Sequence, residues 1–149
     1  MLLAAKEIFR VLKPGGKLAI AVWGSPQQNL WGSAIGESIN RNMQLPAPLP
    51  GSPGIFRCGK SGVMSDIFEQ ASFKNISEKE VGCEMHCGTT EIYWEMMTEI
   101  AAPIVAGLSN ADESMKKQIK KEVFEIVNEK YPEGEVIIDG SAILIYGEK

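Results

Sequence analysis

The chain has 149 residues, 44% of them hydrophobic, enough for a single folded domain. A formal charge of −4 argues against a phosphate-backbone partner, since nucleic-acid binders present a basic face. Three cysteines cannot complete an even disulfide framework, so a reducing cytoplasm is the simpler setting. The opening stretch from Met1 to Leu12 is too short to span a membrane and is interrupted by Lys6, Glu7 and Arg10; neither a membrane span nor a targeting segment is expected.

Leu2, Ala5, Phe9 and Leu12 recur at helical spacing, Pro14 cannot continue a helix, and Gly15-Gly16 permit a reversal. Leu18 to Trp23 then reads as a strand without a polar side chain, and both of its faces are expected to be covered inside a larger sheet. Glu7, Arg10, Val11, Leu12, Lys13, Pro14, Gly15 and Gly16, leading into that strand, resemble the class I S-adenosylmethionine-dependent methyltransferases that act on small molecules. The resemblance implies an α/β, Rossmann-like sheet of which this chain holds the carboxy-terminal part, beginning at the fourth helix and the fifth strand. About three strands are expected, the last running antiparallel between the other two, with helical insertions. An acidic-x-Gly-x-Gly-x-Gly loop does not occur, and the acidic residue expected on the ribose has no counterpart. S-adenosylmethionine is therefore expected for the complete enzyme, no cofactor-binding or catalytic residue is carried over, and the chain is not expected to act alone.

After Gly24-Ser25-Pro26, the residues Leu30, Trp31, Ala34, Ile35, Ile39 and Met43 predict a helix from about Asn29 to Met43. Pro46, Pro48, Pro50 and Pro53, with Gly51 and Gly54, make residues 44–60 an extended connector within a single domain of residues 1–149. Val63, Met64, Ile67, Phe68 and Ala71 predict a short amphipathic helix. Ala71-Ser72-Phe73 resembles the Ala-Gly-Phe-type turn of the family, with serine in place of glycine. The next element is a strand, with Val81, Cys83, Met85 and Cys87 on its core face and Glu80, Glu84 and His86 on its wet face. Residues 89–131 read as a helical insertion: one helix from Glu91 to about Ala102 that Pro103 interrupts or kinks, and a second capped by Asn110 with Glu113 and stopped near Glu129 by Pro132 and Gly134. The last strand is placed at Ser141 to Tyr146, with Val136-Ile137-Ile138 as an extra short strand or an extended approach.

Gly54 to Ser61 fits the Gly-x-x-x-x-Gly-Lys-Ser phosphate-loop pattern, but Leu49-Pro50-Gly51-Ser52-Pro53 cannot be the buried strand such a loop needs before it. Cys58, Cys83, His86 and Cys87 are of metal-ligating type, yet strand alternation points His86 away from Cys83 and Cys87, so no metal site is assigned. The cluster Lys116-Lys117-Gln118-Ile119-Lys120-Lys121 is flanked by Glu113, Glu122 and Glu125 and reads as a solvated helix face. Trp23, Trp31, Tyr93 and Trp94 are the candidate substrate-binding residues, because Trp23 ends a strand at the carboxyl edge where open α/β sheets bind ligands and aromatic rings can seat an apolar acceptor or a sulfonium. Two functions are thus carried forward: the carboxy-terminal portion of a small-molecule methyltransferase, or a noncatalytic binding or oligomerisation module derived from that fold. In either case an apolar Leu18 to Val22 edge predicts a homodimer or a complex with the missing amino-terminal half.

Overall fold

The first helix, α1 (Leu2–Val11), ends where Leu12 turns extended, two residues before Pro14. Gly15 takes a φ of 75°, which a side chain resists, and the Gly16 amide closes the turn on the Lys13 carbonyl. The Lys149 ammonium donates to the carbonyl oxygens of Arg10 and Leu12, satisfying the helix end with a positive charge. These residues belong to a computed structural model that describes residues 1–46, 49 and 52–149. Pro48, Pro50 and Gly51 of the expected connector lie outside the described residues, while Pro46 and Pro53 sit in irregular backbone.

The chain divides into two compact units. The first comprises Met1–Ser25, Gly51–Cys83 and Ser141–Lys149; the second comprises Pro26–Pro50 and Glu84–Gly140. Beyond α1 the elements are β1 (Lys17–Trp23), a short 3-10 turn (Pro26–Gln28), α2 (Leu30–Asn42), α3 (Val63–Gln70), β2 (Lys74–Gly88), α4 (Thr90–Ile100), α5 (Ala102–Ser109), α6 (Glu113–Lys130) and β3 (Val136–Glu148). The three strands form one sheet in the order β1-β3-β2. β1 pairs antiparallel with β3 from Lys17↔Glu148 to Trp23↔Ala142. Asn75 bonded to Glu148 and Glu80 bonded to Ser141 show that β2 also runs antiparallel to β3. The expected α/β class, and a last strand lying between the other two, are what the chain adopts.

In the first unit, Ala5, Phe68, Ala71, Phe73, Ile143 and Ile145 form the core, and Leu18, Ile20 and Val22 of β1 pack on it. The other side of β1 (Lys17, Ala19, Ala21 and Trp23) is exposed, so the expectation of two covered faces is corrected: α1 and α3 cover one. In the second unit the core is built from α2, α4, α5 and α6 with Cys87, Val136 and Ile138. Arg41 and Asn42 both reach Glu122, fixing α2 to α6.

The helix is interrupted at Pro103 as expected: α4 ends at Ile100, and Pro103 lies in the first turn of the separate helix α5, where its missing N–H costs nothing. Three local readings are corrected. The cap of α6 is Asp112, whose carboxylate accepts from the Met115 amide, and not Asn110. Val136 to Ile138 is neither a separate strand nor an approach but the first part of β3. Cys83, expected on the core face of β2, is exposed.

Helix α3 ends in a Schellman arrangement: the Phe73 amide donates to the Phe68 carbonyl, the Ser72 amide to that of Glu69, and the Phe68 and Phe73 rings meet at 5.3 Å. Ser72 holds the left-handed position with φ 77°, where glycine carries no steric penalty. Ser72→Gly is expected to stabilise the fold by about 0.5–1 kcal/mol, read as a higher urea midpoint with unchanged slope.

Candidate functional site

The carboxyl end of β1 is fixed from two sides within the first unit. The Gly24 amide donates to the Ser141 carbonyl at 2.8 Å, and the Ser141 hydroxyl to Glu80 at 2.7 Å. On the other side, the turn formed by Phe56 to Gly59 comes so close that a side chain at Gly59 would overlap the Gly24 carbonyl. Trp23 stands at this fixed end, 38% exposed. A large aromatic surface held open to solvent on rigid backbone is what contact with an apolar or cationic ligand requires.

The remaining candidate aromatics lie in the second unit. Tyr93 is wholly buried and its hydroxyl donates to the Trp31 carbonyl at 2.9 Å. Burial pushes that hydroxyl well above its ordinary pKa, with Cys87 and Tyr131 adding to the effect, so it stays protonated as a donor. The Trp31 indole N–H donates to the side-chain oxygen of Asn29, itself fully buried. Trp94 meets Phe124 edge-on at 6.4 Å, and the Lys120 ammonium lies 5.9 Å and 5.1 Å from those two rings. Trp31 and Tyr93 are therefore brought together, whereas Trp94 joins the α4–α6 face. Asn29, Glu80 and Ser141 were not singled out in the sequence. Asn29, just ahead of a helix, carried a weak capping signal, and the pair Glu80 and Ser141 carried none, because it depends on strand register.

The phosphate-loop match has a different use. Gly62, with φ 88°, opens α3, and its amide donates to the Glu78 carboxylate at 3.0 Å and 3.2 Å, with the Ser65 hydroxyl at 2.5 Å. A carboxylate from β2 thus holds the helix N-terminus that a phosphate would need. The Ser65 hydroxyl, then Ser61 and the Gly62 amide, hold Glu78 below the usual carboxylate range against the opposing effect of burial. Among the described residues no three His, Cys, Asp or Glu side chains are grouped to hold a metal ion; Cys87 is buried and Cys58 touches the Met1 sulfur at 3.3 Å.

No family model matches this sequence, and no curated protein matches it. Among solved structures, the whole chain aligns with 30% of phosphoethanolamine N-methyltransferase 2 of Haemonchus contortus, solved with phosphomonomethylethanolamine and S-adenosylhomocysteine, at 15% identity and a TM-score of 0.42. It aligns over 99% of its length with 62% of a Bacillus halodurans protein described as a methyltransferase, at 14% identity and a TM-score of 0.47. The chain spans less than two thirds of either protein.

Tyr93→Phe removes the buried hydroxyl bond to the Trp31 carbonyl and is expected to cost about 1–2 kcal/mol in urea unfolding. Glu78→Gln is expected to lower stability at neutral pH by about 1 kcal/mol, the value of a helix cap. Because the folded pKa of Glu78 is depressed, its contribution is full above the ordinary carboxylate range and drains away as pH falls through it. The difference between wild type and Glu78→Gln should therefore shrink in acid, as unfolding curves at neutral and acid pH would show.

Proposed function

We propose that this chain is the part of a small-molecule S-adenosylmethionine-dependent methyltransferase that carries the last three strands of the sheet and the acceptor side of the site. The observation that carries this reading is the strand order β1-β3-β2, with the last strand antiparallel beside β1, entered through the turn at Pro14-Gly15-Gly16. Methyl transfer is an in-line displacement at a methyl carbon, for which the protein's contribution is mainly positioning. Trp23 is the acceptor contact of the first unit.

The donor does not fit the residues present. The glycine-rich cradle is absent from the sequence, and the glycine-led helix N-terminus at Gly62 is already taken by Glu78. No step through the donor is therefore assigned to this chain, and the strands that hold S-adenosylmethionine are assigned to a partner at the β1 edge. That partner is the glycine-loop half of the same fold, since a second copy brings no such cradle. The open edge also favours a second reading, a noncatalytic assembly module of the same fold. No described helix is long and apolar enough to cross a membrane, and three free cysteines fit a reducing cytoplasm.

Calorimetric titration with S-adenosylmethionine tests the assignment. The chain alone is expected to be silent, and a fusion that places a glycine-loop methyltransferase half ahead of Leu2 is expected to bind. Micromolar binding by the chain alone would overturn the placement of the donor. A folded fusion that stays silent would overturn the methyltransferase reading in favour of the assembly module.

A further inference from the structure

We draw no further inference here: the strongest candidate, the exposed apolar surface patch on α4 and α5 at Ile92, Ile100 and Val105, flanked by the exposed Glu91, Glu95 and Glu99, carries none because nothing in the structure shows what covers it.

Discussion

The antiparallel ladder between β1 and β3 is the constraint on which the rest of the first unit depends. Its register, from Lys17↔Glu148 to Trp23↔Ala142, brings the last residues of the chain back beside the first turn. That return lets Lys149 close the end of α1, turns Leu18, Ile20 and Val22 toward Phe68, Phe73 and Ile145, and fixes Trp23 at a rigid strand end beside Ser141. It also decides what is left open. With β3 on one side of β1, the groups of Ala19 and Ala21 face the other.

β2 and β3 each serve both cores, and their sequences show how. Along β3 the buried positions fall at Val136 and Ile138, then at Ile143 and Ile145, so the inward parity changes near Gly140-Ser141. Val136 and Ile138 enter the helical core of the second unit; Ile143 and Ile145 enter the core of the first. β2 behaves alike: Ile76 packs in the first unit, and Met85 and Cys87, on the opposite parity, pack in the second. Such a change cannot come from a regular pleat with one buried face.

Much of this was legible in the sequence where a local rule decides the outcome. Pro14 with Gly15-Gly16 marked the end of α1, the 3.6-residue spacing of Leu30 to Ile39 marked α2, and the unbroken apolar run marked β1. The misreadings fall where two local signals competed or where register was needed. Asn110 was expected to cap α6, whereas Asp112, directly ahead of Glu113, does so. Val136 to Tyr146 looked divided because Asp139-Gly140 interrupts its apolar run, yet the strand continues through both. β1 was expected to be covered twice because alanine counts as apolar, whereas Ala19 and Ala21 are small enough to face solvent cheaply. The aromatic candidates were recognisable by residue type. Their partners (Asn29 for Trp31, Phe124 for Trp94 and the Ser141 pairing beside Trp23) depend on tertiary placement.

The parity of β1 decides the ladder, and amide hydrogen exchange resolved residue by residue along that strand in the 149-residue protein measures it. Leu18, Ile20 and Val22 are predicted to exchange slowly and Ala19 and Ala21 quickly. Uniform protection across all five amides, or the opposite alternation, would contradict the ladder register.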